Sequence, residues 1–148
     1  MSDARITSVD QSKTNEAISQ LRYLQNIYSQ QYELLESQIS TYMISIDAIL
    51  KGLEVLNNTT MINGSQILVN TGPGIYVEGK IGSTKSMLVY IGAGYIVEKS
   101  AEEAKIFIES NKQKQEEVLK KMTAEKSKIQ SELLDILYKL EALQQQVV

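Results

Sequence analysis

The side chains that most often carry out chemistry in proteins are scarce in this sequence. Its 148 residues include no histidine and no cysteine, so neither a Ser-His-Asp nor a Cys-His arrangement can form. A zinc site built from those ligands is excluded for the same reason. Most carboxylates alternate with lysines along predicted helix faces, which is typical of a solvated surface. We therefore predict no enzymatic activity, no catalytic residue, no metal site and no cofactor.

Two glycine-rich segments remain as candidates for ligand binding. Gly72-Pro73-Gly74 and Gly92-Ala93-Gly94 resemble phosphate-binding loops only in their glycine content, since neither has GxGxxG spacing. Gly94 opens a predicted strand, so no helix N-terminus is available to hold phosphate there. Both segments are predicted to be hairpin turns.

Charge and hydropathy exclude two further classes of partner. The net charge of −3 argues against nucleic acid, because no basic face is available to neutralise phosphates. No stretch approaches the roughly 18 uninterrupted apolar residues of a membrane span. The polar start, Met1–Arg5, leads into no hydrophobic segment, which predicts no signal peptide. Together with the lack of cysteine, these features predict a cytoplasmic protein that does not bind membranes.

The elements that position the remaining side chains begin with a helix over about residues 14–57. Its apolar residues recur at heptad spacing, the pattern of a helix that packs along another helix. The dozen residues before it are polar and are expected to precede the paired part of the helix. Tyrosines on this seam could form a stacking ladder for a ligand, but packing explains them better. The predicted seam is Ile18, Leu21, Gln25, Tyr28, Tyr32, Leu35, Ile39, Tyr42, Ile46, Ile49, Leu53 and Leu56.

A second heptad pattern predicts a helix over about residues 100–147. Ser100 and Glu103 form a capping box that marks its start, and Asp135 and Lys139 form a favourable i,i+4 pair. The predicted seam is Ala101, Lys105, Ile108, Lys112, Gln115, Leu119, Met122, Lys126, Ile129, Leu133, Ile136, Leu140, Leu143 and Val147. Three of its polar members, Lys112, Gln115 and Lys126, like Gln25 on the first helix, either set the register between the helices or loosen the seam.

Between the helices, over about residues 66–98, the hydrophobic period changes to two. Four short β-rich runs separated by glycine turns predict two consecutive hairpins. The helices have matched lengths, so we expect them to fold back antiparallel as one domain over residues 1–148, with both termini at one tip. Isolated two-stranded hairpins are marginal and their edges invite pairing. We therefore predict an α+β fold in which the hairpins of several chains complete an intersubunit β-barrel.

The hairpin region resembles the α-class subunits of the prefoldin family of archaeal and eukaryotic co-chaperones. The resemblance rests on Tyr76-Val77-Glu78-Gly79-Lys80-Ile81 and on Leu88–Ser100, above all Gly92-Ala93-Gly94-Tyr95 and Val97-Glu98-Lys99-Ser100. It implies a hexamer of two α-class and four β-class subunits. It further implies capture of non-native proteins at coiled-coil tips and their transfer to a group II chaperonin, without nucleotide.

Two sets of residues are the candidate interaction sites. The predicted client-binding tip consists of Ile6, Val9, Ile18, Leu21, Leu140, Leu143, Val147 and Val148. The predicted assembly residues are Ile67, Val69, Ile75, Val77, Leu88, Tyr90, Tyr95 and Val97. Ile18, Leu21, Leu140 and Leu143 also fit a role in closing the coiled coil. An alternative function is that of a structural adaptor, in which the same hairpin tethers a folded partner.

Overall fold

The structure, a computed structural model, describes the backbone of residues 2–147 and the side chains of residues 10–146. In chain order, two long helices flank the β-region. The elements in chain order are α1 (Ser2–Asn57), α2 (Thr59–Ile62), β1 (Gln66–Gly72), β2 (Ile75–Lys80), β3 (Ser86–Gly92), β4 (Tyr95–Ser100) and α3 (Ala101–Val147). In the part of the chain that is described, no helix is both long and apolar enough to cross a membrane.

Helix α1 begins well before the predicted start near residue 14, since it includes Ser2. The residues from Ser2 to Lys13 contain neither glycine nor proline. A helix that is already nucleated therefore extends through them at low cost. The polar character of this segment does not stop the helix, because helix propagation depends on backbone hydrogen bonds and not on an apolar face.

The chain divides into two compact units. The first combines α1 as far as Tyr42 with α3 from Val118, and the second is Met43–Glu117. The start of α1 thus shares a unit with the end of α3, which is the connectivity of an antiparallel helical hairpin. That the chain forms a single domain stays a prediction.

The heptad seams are confirmed at the level of burial. Every predicted seam position whose side chain is described is buried or half-buried. In the first unit the core contains Leu35 of α1 with Ile129, Ile136 and Leu140 of α3. A repeat of 3.5 residues keeps one stripe of each helix turned toward the partner helix. The heptad spacing in the sequence was therefore sufficient to predict which positions are buried.

Each hairpin is an antiparallel two-stranded sheet of its own, β1 with β2 and β3 with β4. The hairpins are a structural repeat with an offset of 20 residues. Val69 pairs with Val77 as Val89 pairs with Val97, and each ladder shifts register just before its turn. The sequence carries the same repeat, because Leu-Val, Gly-x-Gly and Val-Glu recur at equivalent positions.

Short connections in the second unit hold the hairpins to the helical elements. The ladder of the first hairpin extends beyond its strands, since Ile81 N donates to Ser65 O at 2.9 Å and Gly64 N donates to Ile81 O at 3.0 Å. The hydroxyl of Thr84, in the link between the hairpins, donates to Thr59 O of α2 at 3.0 Å.

The predicted capping box of α3 is present. Glu103 N donates to Ser100 Oγ at 3.2 Å, and Ser100 N donates to Glu103 Oε2 at 3.4 Å. The side chain of each residue therefore accepts a hydrogen bond from the backbone N–H of the other, which satisfies two donors at the start of α3. The transition from β4 to α3 occurs without an intervening loop.

Candidate functional site

The first hairpin presents an open apolar face. Strand pairing places Ile67, Val69, Ile75 and Val77, all predicted assembly residues, on the same side of the two-stranded sheet. All four side chains are exposed. Gly79 lies on this face as well, where a Cβ would come 3.4 Å from Val69 Cγ2. The absence of a side chain at Gly79 leaves the neighbouring Val69 and Ile67 accessible to a partner.

The second hairpin differs, because its predicted residues divide between two faces. Leu88 and Tyr90 point to one side, whereas Tyr95 and Val97 share the other side with Val89. Val89 is buried, with 8% of its surface exposed. Sequence analysis missed Val89, although the 20-residue repeat that makes it the equivalent of the predicted assembly residue Val69 contained the signal. The role of the eight predicted residues in assembly stays a prediction.

The predicted tip residues on the seam pack between the helices. Leu140 is buried, and Ile18, Leu21 and Leu143 are half-buried. The side chains of Ile6, Val9 and Val147, and all of Val148, lie outside the described part of the chain. Contact of these residues with a client stays a prediction.

Exposed apolar side chains in the first unit lie beside the seam instead of on it. Leu34 and Val118 are two of them. The others are Tyr23 and Leu24 on α1 and Leu134, Leu137 and Tyr138 on α3. We call these five residues the apolar flank. Ser19 and Gln20 line a shallow groove of about 480 Å³ together with Tyr23 and Leu24. The signal in the sequence was the i,i+3 and i,i+4 spacing of apolar residues off the heptad positions.

One of the polar seam residues connects the two helices of the first unit. Lys126 Nζ of α3 lies 3.2 Å from Glu36 Oε1 of α1 and 5.1 Å from the centre of the Tyr32 ring. The hydrogen bond to Glu36 raises the pKa of Lys126 above its usual value, with a smaller contribution from Tyr32. Lys126 is therefore a cation with fixed partners, which favours the interpretation that it sets register.

Gln115, in the second unit, favours the other interpretation, namely that its position loosens the seam. Its Oε1 is buried and accepts no hydrogen bond from any described residue. An unsatisfied buried carbonyl weakens packing locally. Lys112, one turn earlier, turns along its own helix toward Glu116, at 3.7 Å between Nζ and Oε1. The polar seam positions therefore do not share one role.

The chemistry that these surfaces offer is adhesion between apolar groups. Among residues 10–146, no three acidic, histidine or cysteine side chains lie close enough together to hold a metal ion. The seam tyrosines Tyr28, Tyr32 and Tyr42 are half-buried, as expected for packing. Large exposed apolar side chains occur on both hairpins and on the apolar flank, and also elsewhere on the helices, as at Met43, Ile44 and Ile106. The hairpin faces and the apolar flank are the candidate binding surfaces.

Comparison with known proteins gives consistent matches over most of the chain. The model of the family described as Prefoldin subunit matches residues 28–146. Prefoldin subunit alpha of Methanocorpusculum labreanum is 31% identical over 128 residues, which cover 86% of this chain and 87% of the relative. Prefoldin subunit alpha of Archaeoglobus fulgidus is 31% identical over 136 residues, which cover 91% and 96%. Prefoldin subunit 5 of Homo sapiens is 33% identical over 91 residues, which cover 61% and 59%.

A solved structure shares the fold. The chain aligns with a cryo-EM structure of filamentous PFD from Methanocaldococcus jannaschii with a TM-score of 0.55. The match covers 80% of this chain and 93% of the other chain, at 23% sequence identity. Long helices with two hairpins between them are thus an arrangement found in a known protein.

Proposed function

The chain belongs to the prefoldin family, as the resemblance to its α class predicted, and we propose that it is a co-chaperone subunit that captures non-native proteins. In this proposal two copies assemble with four β-class subunits through the hairpins. The complex prevents aggregation in the cytoplasm and passes its clients to a group II chaperonin. Binding and release use differences in affinity and require no nucleotide.

One observation carries the capture proposal, namely the apolar flank of the first unit. Tyr23, Leu137 and Tyr138 are large side chains in contact with solvent on helices whose seams are already filled. Exposed side chains of this size are expected to mark an interaction surface when they cluster. A shallow surface binds each client segment weakly. Several subunits acting on one client convert weak binding into useful avidity.

The proposal is tested with the complex reconstituted from this chain and a β-class partner. We expect it to suppress aggregation of a chemically denatured model protein, measured by light scattering. Replacement of Leu134, Leu137 and Tyr138 by serine should reduce suppression severalfold. The matched control replaces Gln130, Glu132 and Glu141, which are exposed on the same stretch of α3, by serine and should leave suppression unchanged.

Two further outcomes separate this proposal from its competitors. Deletion of residues 1–14 and 141–148 measures how much the predicted tip contributes to suppression of aggregation beyond the contribution of the apolar flank. A complex that binds no denatured chain but retains a folded protein partner would replace the chaperone proposal with the adaptor function.

Assembly is tested separately from capture. Static light scattering of the chain alone and with the β-class partner should show a defined hexamer only in the mixture. The open face of Ile67, Val69, Ile75 and Val77 supports this expectation, because apolar residues so exposed are normally covered by a partner. A stable monomer at micromolar concentration in the mixture would contradict it. Filaments of the chain alone would replace the hexamer with the kind of assembly named for the Methanocaldococcus jannaschii protein.

A further inference from the structure

The apolar seam of the first unit repeats every seven residues on both helices. A shift of α3 along α1 by one heptad therefore places seam positions opposite seam positions again. The shift changes which apolar side chains meet, and it leaves most of them packed against other apolar side chains. The seam thus aligns the two helices only to within a multiple of seven residues. Another contact has to select one register among these.

One ion pair joins the two helices of this unit. The described side chains form four ion pairs, and three of these link residues four apart on a single helix. Such pairs move with their own helix, so a shift between the helices does not affect them. Lys126 of α3 and Glu36 of α1 form the fourth pair, with Nζ and Oε1 3.2 Å apart. Their contact depends on the register because they belong to different helices.

The register of the structure gives Lys126 two partners at once. One is Glu36, and the other is the ring of Tyr32, whose centre lies 5.1 Å from Nζ. A shift of one heptad would remove both, because none of the residues that replace them has a negative charge or an aromatic ring. The replacements are Ser29 with Gln25 in one direction and Met43 with Ile39 in the other.

A shift would also leave Glu36 without its partner. The residues seven positions before and after Lys126 are Leu119 and Leu133, so the carboxylate would face an apolar seam residue in either direction. Lys126 itself is half-buried on the seam. An unpaired charge in such a position is unfavourable. Both shifted registers are therefore disfavoured at the same place, whereas the apolar seam accepts them.

We propose that Lys126, through Glu36 and Tyr32, selects the heptad register of α1 and α3 in the first unit. A lysine on a heptad seam fixes alignment at a cost in stability. An apolar residue in its place would bury more apolar area and would accept the shifted registers as well. The inference goes beyond the proposed function, since it concerns the alignment of the helices and involves neither a client nor a partner subunit.

The register can be measured as a distance between two spin labels. Ser19 and Ser131 are both exposed, and the chain has no native cysteine that would also be labelled. Ser19 lies 17 residues before Glu36, and Ser131 lies five residues after Lys126. In an antiparallel pair the two sites are therefore about 18 Å apart along the helix axis. A shift of one heptad changes this axial separation by about 10.5 Å.

Removal of the charge should release the register. Double electron-electron resonance on the full chain with Ser19→Cys and Ser131→Cys, diluted with excess unlabelled chain, should show one distance. Addition of Lys126→Leu should give a second distance and should raise the midpoint of thermal unfolding by at least about 2 °C. Lys128→Leu is the matched control, because Lys128 is an exposed lysine of the same helix. This control should keep a single distance.

Relocation of the acidic partner tests the direction of the effect. Glu36→Ser with Ser29→Glu moves the carboxylate seven residues toward the start of α1. Lys126 should follow it, so the axial separation of the labels should fall from about 18 Å to about 7.5 Å. The population with the shorter distance should be at least about threefold larger than in Glu36→Ser alone.

Three results would overturn the proposal. A single unchanged distance in Lys126→Leu would assign the register to the connection through residues 58–100. A second distance of equal population in Lys128→Leu would show that any lost lysine on α3 has this effect. No gain of the shorter distance on relocation of the carboxylate would show that Lys126 does not follow its partner. Aggregation suppression plays no part in these measurements, so failure of this inference and failure of the proposed function are distinguishable.

Discussion

The two hairpins have the same local structure and different surroundings. They share strand lengths, pairing register and the position of the register shift. Yet Val69 is 45% exposed, whereas its equivalent Val89 is 8% exposed. On the same face of the second hairpin, Lys99 extends to α3 and places its Nζ 5.6 Å from the centre of the Phe107 ring. Local sequence therefore determines the strand pairing of each hairpin. The residues that pack against a hairpin determine which of its faces stays exposed for assembly.

The turns of the two hairpins also differ. Pro73 followed by Gly74, with φ of 75°, matches a type II turn. Ala93 and Gly94 both have positive φ, 51° and 81°, as in the type I′ turn that suits the twist of a hairpin. The second hairpin thus combines the more favourable turn geometry with an alanine that adopts it at an energetic cost.

The largest expected difference between the hairpins comes from charge on the equivalent valines. Val89→Asp should destabilise the chain by about 3 kcal/mol or more, because it buries an unpaired carboxylate. Val69→Asp should change the free energy of unfolding by less than about 0.5 kcal/mol but should abolish assembly with the β-class partner. Urea unfolding followed by circular dichroism measures the first effect, and sedimentation measures the second. Equal destabilisation by both variants would show that the hairpins have equivalent surroundings.

Backbone geometry gives the next largest contrast. Gly92 has φ of 110°, whereas its equivalent Gly72 has no positive φ, and a Cβ added at either position would meet no atom within 4 Å. Gly92→Ala should therefore cost about 1–3 kcal/mol through backbone strain alone. Gly72→Ala should be neutral or slightly stabilising. Thermal unfolding of the two variants side by side measures the difference, and a larger loss for Gly72→Ala would contradict the assigned turn geometries.

Substitutions at the first turn positions should have opposite signs. Ala93→Asn should stabilise the chain by about 0.5–1 kcal/mol, since asparagine tolerates the left-handed conformation that alanine adopts there at a cost. Pro73→Asn should destabilise it by a similar amount, about 0.5–1 kcal/mol, because the unfolded chain regains freedom that proline removes. Chemical denaturation at one temperature is sufficient to measure both changes in the free energy of unfolding. An increase in stability in both variants would contradict the distinction between the two turns.

The smallest expected effect concerns a hydrogen bond across the second hairpin. Ser86 Oγ donates to Glu98 Oε1 at 2.8 Å, and Ser86→Ala should cost about 0.5 kcal/mol because the pair is exposed. The equivalent residue, Gln66, makes no such bond to a described residue, so Gln66→Ala serves as the control. Amide hydrogen exchange at the base of each hairpin should detect faster opening in Ser86→Ala alone.

Much of the fold was predictable because it rests on periodicity. Helices, strands and turns follow from patterns that a chain displays over a few residues, and so do the capping box of Ser100 and the pairing of Asp135 with Lys139 at 2.9 Å. The start of α1 was missed, since helix propagation depends on the helix already formed and not on local polarity. The candidate site was harder, because exposure of Tyr23 or burial of Val89 depends on what else packs nearby.

The two heptad seams and the two hairpins are encoded locally, because each arises from spacing along the chain. The packing of distant segments determines which of the two equivalent valines is covered. It also brings Lys126 to Glu36 of the other helix, whereas Lys112 pairs within its own helix. These outcomes depend on side chains brought together from distant parts of the chain. No period in a single segment encodes them. Ile67, Val69, Ile75 and Val77 were predicted from the sequence as assembly residues, whereas the exposure of the apolar flank and the burial of Val89 became visible only in the folded chain.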